Sequence, residues 1–187
     1  MHPLREARRH YVVPAVDALP AAPPGAPLRA LDIGFGRGMN SAALLAWAAQ
    51  VGRPLDLLGF EPAADALEPW PHRPPHGAAF PWWGALPGRW LLDDAAVEVR
   101  SARVEDGLRR EDGRFGLILL DLFSPRAAPE AWSAALFTAL AGAAAAGAVL
   151  TTYTCARVVR DGLAAHGWAV EVLRRPGVRD TLRATRP

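Results

Sequence analysis

Three glycines with one residue between each, Gly34, Gly36 and Gly38, follow an acidic residue, Asp32, at the end of a short apolar run. Glycine is favoured where the backbone turns at positive φ and where a ligand lies directly against the main chain. Residues 41–50 contain no Gly or Pro and are rich in helix formers, which predicts a helix. The first amides of such a helix bind oxygen-rich groups, so the pattern indicates a ligand-binding turn between a strand and a helix.

The spacing of the glycines separates two classes of ligand. A dinucleotide-binding loop would need glycine where Met39 stands. The acid-x-G-x-G-x-G pattern from Asp32 instead resembles the first motif of Rossmann-like S-adenosylmethionine methyltransferases, in which the acid helps hold the amino-acid end of the ligand. A second apolar run, residues 55–60, ends in Glu61, 23 residues after Gly38, where a carboxylate can accept both ribose hydroxyls. For the glycines alone, an ordinary tight turn is the alternative.

Another carboxylate, Asp121, terminates a third apolar run. Residues 115–120 have no polar break, as is typical of a buried parallel strand. A carboxylate at that point is unfavourable unless it is paired, hydrogen-bonded or used by the protein. Ligands of open α/β sheets bind beyond the carboxyl ends of the strands, so we expect Asp121 to face the glycine turn. The structural alternative is that Asp121 only caps a turn.

The elements that must position these residues alternate between strands and helices. This alternation predicts an α/β, Rossmann-like class I fold, with a mostly parallel seven-stranded sheet that ends in a C-terminal antiparallel hairpin. We expect strands over residues 28–33, 55–60, 96–102, 115–120, 148–153, 168–173 and 180–185. We expect helices over residues 1–18, 41–50, 105–110, 129–145 and 156–165.

Residues 1–187 are expected to form one domain, with an N-terminal helix and a Pro-rich linker within residues 1–27. Residues 68–90 are rich in proline and tryptophan and predict a loop insert, which is either a lid or an apolar flap. His72 and His76 lie within it, but the prolines between them forbid a helical metal pair, so no metal is expected.

The composition is that of a globular protein, with 51% hydrophobic and 21% charged residues. No apolar run reaches the roughly 20 residues of a membrane span, and no signal peptide is visible. The one cysteine, Cys155, excludes an internal disulfide and favours a cytoplasmic location. All 21 basic residues are Arg, and residues 151–187 hold seven of them against three acids. Such a tail is either a phosphate-binding surface or a solvated face.

Four segments together are similar to the tRNA methylaminomethyl-uridine methyltransferase family, the methyltransferase part of MnmC-type enzymes. The glycine motif matches beyond the glycines, at Phe35 and Asn40. The segments are PLREARRHY at 3–11, GFGRGMN at 34–40, LLDLFSPRAAPEAW at 119–132 and TTYTCARVVRDGLAAHGW at 151–168.

The resemblance implies methyl transfer from S-adenosylmethionine to the amine of 5-aminomethyl-(2-thio)uridine at a tRNA wobble position. It implies that Asp121 aims the amine and helps take its proton. The implied cofactor-binding residues are Asp32, Gly34, Phe35, Gly36, Gly38, Asn40, Glu61, Arg103 and Asp121. The implied substrate- or tRNA-binding residues are Phe123, Ser124, Pro125, Arg126, Tyr153, Arg157, Arg160, Arg175 and Arg179.

Larger family members carry a fused flavin oxidase domain that generates the amine. A chain of this length is expected to hold the methyltransferase alone and to depend on a separate enzyme for its aminomethyl-uridine. Arg103 stands where the family has an acid near the adenine amine, and Glu105 or Asp106 is the expected substitute. Ala128 and Asp161 also depart from the family pattern.

Two other functions remain open on the sequence. One is a related N-methyl- or aminopropyl-transferase that acts on a small amine, which would not need the basic tail. The other is a catalytically degenerate module that binds RNA or a partner, which the departures at Arg103, Ala128 and Asp161 suggest. Binding of S-adenosylmethionine tests the degenerate module, and salt-dependent affinity for tRNA separates the two enzymes.

Overall fold

The protein folds around a single mixed sheet. The computed structural model describes residues 3–64, 86–109 and 112–187. Most of the predicted Pro/Trp-rich insert, including His72 and His76, lies outside the described residues. The described strands number eight and are named β1 to β8 in chain order. They are Leu28–Ile33, Leu55–Phe60, Gly88–Leu92, Ala95–Arg100, Phe115–Leu120, Ala144–Thr152, Ala169–Arg175 and Val178–Thr185.

The strand order across the sheet is β3-β4-β2-β1-β5-β6-β8-β7. Strands β4, β2, β1, β5 and β6 are mutually parallel, whereas β3 and β8 run antiparallel to their neighbours β4 and β6. After β1 the chain builds the sheet toward β2 and β4, and after β5 it builds in the other direction. The carboxyl ends of β1 and β5 therefore flank the point at which ligands bind in open α/β sheets.

Helices cover both faces of this sheet, and several of them follow a strand along the chain. The described α-helices, named α1 to α6, are Pro3–Ala7, Val13–Val16, Met39–Val51, Val104–Gly107, Ala134–Ala143 and Arg157–Ala165. Two groups of buried apolar residues, one on each face of the sheet, form the core. The apolar strand sequences allow this, because a central parallel strand is buried on both sides.

The first residues of the chain form one nearly continuous helical stretch. A π-helical turn, Arg8–Val12, joins α1 to α2. This N-terminal segment, residues 3–16, packs on α3, β6 and β8. Tyr11 and Val12 are among its buried residues, as the helical spacing of the apolar positions predicts.

The α/β Rossmann-like fold and its C-terminal hairpin are confirmed, but the sheet has eight strands where seven were expected. The additional strand, β3, begins within the segment expected to be loop, where Gly88 to Trp90 pair with β4. The helix expected over residues 129–145 is also shorter. A 3₁₀ turn at Pro129–Ala131 precedes α5, and Ala144 already pairs with Phe115 in the sheet.

No helix among the described residues is both long and apolar enough to span a bilayer.

Candidate active site

A cavity of about 780 Å³ opens where the parallel strands end. It is bounded by the turn after β1, by residues that follow β2, β4, β5 and β6, and by the N-terminal segment. The predicted site residues that line it are Gly34, Phe35, Gly36, Asn40, Glu61, Arg103, Asp121, Phe123, Tyr153 and Arg179. The cavity therefore brings together predicted residues that are widely separated along the chain.

The glycine turn packs directly against the neighbouring strand end. Gly34 has φ 76°, and a side chain there would collide with the backbone oxygen of Asp121. Gly36 has φ 50° and would meet nothing closer than 3.9 Å. The first glycine is thus needed for packing, while the second leaves open space over the backbone for a ligand.

Gly38 and Phe35 support the turn from its two sides. Gly38, with φ 75°, is the N-cap residue of α3 and its amide donates to the Phe35 carbonyl at 2.7 Å. The Phe35 ring is 3% exposed and lies against Gly59 of β2, where a methyl group would not fit. The ring therefore anchors the turn to the sheet.

Glu61 is held by the backbone of the turn. Its Oε2 accepts a hydrogen bond from the Gly36 amide at 2.9 Å, and its Oε1 accepts one from the Ala63 amide at 3.2 Å. These bonds fix the carboxylate at the cavity wall, and each oxygen keeps a further lone pair for a ligand hydroxyl.

Asp32 lies beneath the turn and does not line the cavity formed by the described residues. It is fully buried, and its Oδ2 accepts a hydrogen bond from the Ser41 hydroxyl at 2.5 Å. Its Oδ1 has no hydrogen-bond partner among the described residues. Burial raises the pKa of Asp32 to about 8, although the Ser41 bond lowers it. In this structure Asp32 ties the end of β1 to the first turn of α3.

The Asp121 carboxylate is held in place at the cavity by two side-chain hydrogen bonds. The phenol of Tyr11 donates a short hydrogen bond to its Oδ1, and Asn40 Nδ2 donates to its Oδ2 at 2.9 Å. Burial raises the pKa of Asp121, and the bonds from Tyr11 and Asn40 lower it. Two donors thus orient a partly desolvated carboxylate, whose remaining lone pairs are free to accept from a ligand.

Tyr11 is a site residue that the sequence did not predict. It is 5% exposed, and burial with the adjacent Asp121 carboxylate raises its pKa far above the ordinary value, so the phenol remains protonated and donates. The Thr151 hydroxyl donates to the Tyr11 carbonyl at 3.0 Å and holds the N-terminal segment on β6. Helical spacing predicts that Tyr11 is buried, but it contains no signal for the partner of the phenol.

Arg103 and Glu105 form an ion pair at the opposite end of the cavity. Arg103 Nε lies 2.7 Å from Glu105 Oε1, and the Glu105 side chain is 13% exposed. Both residues line the cavity together with Ala102 and Val104. A carboxylate is therefore present near the end of β4 although Arg103 occupies the position where the family has an acid.

Phe123 projects from the cavity rim and is 80% exposed. Its backbone is held because Trp132 Nε1 donates to the Phe123 carbonyl at 2.8 Å. Tyr153 lies on the same side, with the Arg179 guanidinium carbon 5.8 Å from the centre of its ring. The rim thus presents aromatic surface beside Asp121.

Several of the remaining predicted residues lie away from the cavity formed by the described part of the chain. Arg157 is on α6, where its side chain is 86% exposed and pairs with Asp161 at 3.2 Å. Arg175 donates to the Arg9 carbonyl at 2.6 Å behind the N-terminal segment. The predicted residues outside the lining are Asp32, Gly38, Ser124, Pro125, Arg126, Arg157, Arg160 and Arg175.

Two polar residues of the N-terminal segment, Glu6 and His10, line the cavity and were not predicted. The segment's resemblance to the family was the available signal, but it did not identify either side chain. Within the described residues, no group of three or more His, Cys, Asp or Glu is arranged to hold a metal ion.

Comparisons with known proteins relate this chain to methyltransferases. Residues 89–187 match the model of a family described as S-adenosyl-L-methionine-dependent methyltransferase. The bifunctional protein MnmC of tRNA 5-methylaminomethyl-2-thiouridine biosynthesis from Caulobacter sp. (strain K31) is 34% identical, over 78% of this chain and 28% of that protein. Its counterpart from Delftia acidovorans is 36% identical, over 81% of this chain and 26% of that protein.

Among solved structures, the crystal structure of MNMC2 from Aquifex aeolicus superposes with a TM-score of 0.80. It is 20% identical to this chain, and the match covers 98% of this chain and 62% of that one. At this identity the likeness establishes the fold. The chain spans little more than a quarter of the length of the two MnmC relatives, at 28% and 26%.

Proposed function

Because this chain belongs to the S-adenosyl-L-methionine-dependent methyltransferase family, we propose that it methylates the amine of 5-aminomethyl-(2-thio)uridine at a tRNA wobble position. The observation that carries the proposal is the Asp121 carboxylate, oriented by Tyr11 and Asn40 beside the glycine turn. The similarity to MnmC proteins of tRNA 5-methylaminomethyl-2-thiouridine biosynthesis supports the choice of substrate.

The lining of the cavity fits S-adenosylmethionine. Gly36 leaves the backbone open, Glu61 offers a fixed carboxylate for the ribose hydroxyls, and Glu105 offers one for the adenine amine. Gly34, Phe35 and Gly38 shape the turn that carries Gly36, and Asp32 supports it from below. When bound, the cofactor supplies a methyl group activated by a positively charged sulfur, a charge that an acid-rich wall tolerates.

Asp121 would act on the substrate amine. A primary amine is nucleophilic only when it is unprotonated, so it must reach the site neutral or lose a proton there. The Asp121 carboxylate would accept a hydrogen bond from the amine and so aim the nitrogen lone pair. Burial raises its pKa, which makes it a better acceptor for the proton. Most of the rate enhancement would come from holding the reacting groups in line.

Tyr11 and Asn40 would act as positioning residues for Asp121. Each donates to a different carboxylate oxygen, so the plane of the carboxylate is fixed before the substrate enters. Phe123 and Tyr153 would stack on the uracil, since base–aromatic stacking contributes about 1–3 kcal/mol per base. The exposed position of Phe123 suits a base that enters from solvent.

The tRNA would contact the protein outside the cavity. Arg126 and Arg160 are exposed on the loop after β5 and on α6, and Arg179 stands at the rim. We include Ser124, Pro125, Arg157 and Arg175 in the same proposed surface, as the family resemblance implies. Methyl transfer does not create the amine, so a separate activity would have to supply the aminomethyl-uridine. A tRNA substrate also implies a cytoplasmic location.

The decisive experiment is mass spectrometry of hydrolysates of tRNA that carries aminomethyl-uridine, incubated with the protein and S-adenosylmethionine. A mass increase of one methyl group on that nucleoside is expected. The same tRNA carrying unmodified uridine is the control and should gain nothing. Binding of S-adenosylmethionine is measured by calorimetry in parallel with the mass spectrometry. If the protein does not bind S-adenosylmethionine, a degenerate RNA- or partner-binding module is favoured.

A small-amine N-methyl- or aminopropyl-transferase is the second candidate, and one observation favours it. Three arginines of the basic tail are paired with acids of the same chain, Arg157 with Asp161 at 3.2 Å, Arg174 with Asp180 at 3.8 Å and Arg183 with Glu171 at 2.7 Å. The surface charge available to tRNA is therefore lower than the count of arginines suggests. Affinity for bulk tRNA that does not fall with salt would favour this candidate.

A further inference from the structure

One end of the cavity carries polar groups that methyl transfer does not use. His10 and Glu6 of the N-terminal segment and Arg179 of β8 line this end. His10 is only 6% exposed, and its Nδ1 is buried with no hydrogen-bond partner among the described residues. A buried polar nitrogen without a partner is unfavourable, and the same imidazole lines the cavity, so this end of the cavity is a candidate ligand site.

Three guanidinium groups lie near enough to His10 to act on its pKa. Burial lowers the pKa of His10, the Glu6 carboxylate raises it, and the guanidinium groups of Arg175, Arg179 and Arg9 lower it further. Three cations and one carboxylate thus face the imidazole. The excess of positive charge favours an anion at this end of the cavity.

Arg175 and Arg179 are held differently, so only one of them is placed to contact a ligand in the cavity. Arg175 donates to the Arg9 carbonyl at 2.6 Å and to Thr181 Oγ1 at 3.5 Å, and it does not line the cavity. Arg179 is exposed and lines the cavity. Arg179 is therefore the arginine available for direct contact, and Arg175 contributes charge from behind.

The location of this end favours the acceptor side of the reaction. Glu61 and Glu105, which we assign to the cofactor, follow β2 and β4 on one side of β5. Arg179 belongs to β8, and Tyr153 follows β6, on the other side of Asp121. A group bound by His10 and Arg179 would therefore lie next to the aromatic rim, where a nucleotide would enter.

We propose that His10 and Arg179 form an oxyanion subsite that binds the phosphate of the nucleotide whose base enters the cavity. The inference deepens the proposed function and rests on it for the identity of the nucleotide. The same chemistry would also accept the methionine carboxylate of S-adenosylmethionine. The experiments below distinguish these two sources.

The direct test follows the side-chain resonances of His10 by NMR while inorganic phosphate or uridine monophosphate is added. The His10→Gln variant assigns the resonance. Saturable shifts are expected, and bound phosphate should raise the pKa of His10 by about one pH unit or more, because an opposite charge within contact distance favours the imidazolium. This readout needs no turnover, so it is independent of whether aminomethyl-uridine is the substrate.

Two further variants test the charges. Arg179→Gln should weaken phosphate binding about tenfold, since a charge-assisted hydrogen bond is lost. Glu6→Gln should strengthen it severalfold, because a repelling carboxylate is removed. Arg53→Gln is the matched control, since Arg53 precedes β2 at the end of the sheet away from the cavity and donates to the Ala26 carbonyl at 3.3 Å, and it should leave phosphate affinity unchanged.

Calorimetry with S-adenosylmethionine and with its decarboxylated form identifies the source of the oxyanion. If Arg179→Gln weakens phosphate but binds both cofactor forms as before, the subsite serves the nucleotide. If the variant weakens only the carboxylate-bearing form, the subsite serves the cofactor and the proposed phosphate role is wrong. If neither phosphate nor S-adenosylmethionine shifts His10, and Arg179→Gln changes neither affinity, the proposal is wrong.

Discussion

Tyr11 donates its phenolic hydrogen to Oδ1 of Asp121, 110 residues further along the chain. The bond joins the N-terminal segment to the end of a central strand. Through this contact the N-terminal segment reaches the carboxylate that we assign to catalysis, which Asn40 of α3 also orients. The site is therefore shared between the strand ends, which present Asp121, and a helical segment that orients it.

Replacing Tyr11 with phenylalanine tests this relationship. The hydrogen bond from Tyr11 lowers the pKa of Asp121, so its loss should raise that pKa further. A carboxylate that must be ionised to accept from the amine would then lose activity at a higher pH than in the wild type. We expect the acid limb of the kcat/KM profile to move up by about one pH unit, the equivalent of about 1.4 kcal/mol.

Tyr153→Phe is the matched control for that profile. Tyr153 lines the same cavity, but the hydrogen bonds that lower the pKa of Asp121 come from Tyr11 and Asn40. The acid limb should stay in place even where the rate falls. Equal displacement in both variants would show that the phenol of Tyr11 does not tune Asp121.

Asp121→Ala should abolish methyl transfer and leave the Kd of S-adenosylmethionine within about tenfold of the wild type, because the proposed role of Asp121 is at the amine. Turnover is measured by mass spectrometry and binding by calorimetry. Asp161→Ala removes an exposed carboxylate that pairs with Arg157, and it should retain full activity. Turnover by Asp121→Ala would exclude this carboxylate from the mechanism.

Gly34→Ala and Gly25→Ala form a pair that separates packing from backbone strain. Both glycines have positive φ, 76° and 74°, but a methyl group at Gly34 meets the Asp121 backbone while one at Gly25 meets nothing within 4 Å. Gly25→Ala should lower the free energy of unfolding by about 1–2 kcal/mol. Gly34→Ala should lose about 1–3 kcal/mol more through the collision and should bind S-adenosylmethionine poorly. Urea unfolding and calorimetry measure the two effects.

Asp32→Asn should change how the stability of the cofactor-free protein depends on pH. The pKa of Asp32 is about 8 in the folded protein against an ordinary value of 3.8. Between these values the native state keeps a proton that the unfolded state has lost, so this residue makes stability fall as the pH rises. Asparagine does not titrate and can still accept from Ser41.

The urea midpoint of Asp32→Asn should therefore decline less than that of the wild type as the pH rises from about 5 to about 8. Asp56→Asn, which alters a half-exposed carboxylate paired with Arg29, should follow the wild type. Parallel curves for wild type and Asp32→Asn would mean that Asp32 is ionised in the folded protein.

Local sequence patterns predict the structure wherever the neighbours of a residue along the chain decide its conformation. The glycine turn, Glu61 and Asp121 each end an apolar run, and parallel strands bring such ends to one edge of a sheet. Patterns failed where pairing overrides propensity. Ala144 follows a run of good helix formers, yet it pairs with Phe115 and begins β6. Trp90 stands in a Pro-rich stretch, yet it pairs with Val97.

The sequence by itself determined the strand–turn–helix that forms the glycine turn, the carboxylates at the strand ends and the apolar face of the N-terminal segment. These depend on spacing and backbone preference, which are local. Only the tertiary structure decided that Tyr11 meets Asp121, that Asp32 lies under the turn with Ser41, and that His10 faces the cavity beside Arg179. Those contacts depend on how separate elements pack, and the spacing of residues within one element does not specify the side chains that another element brings to it.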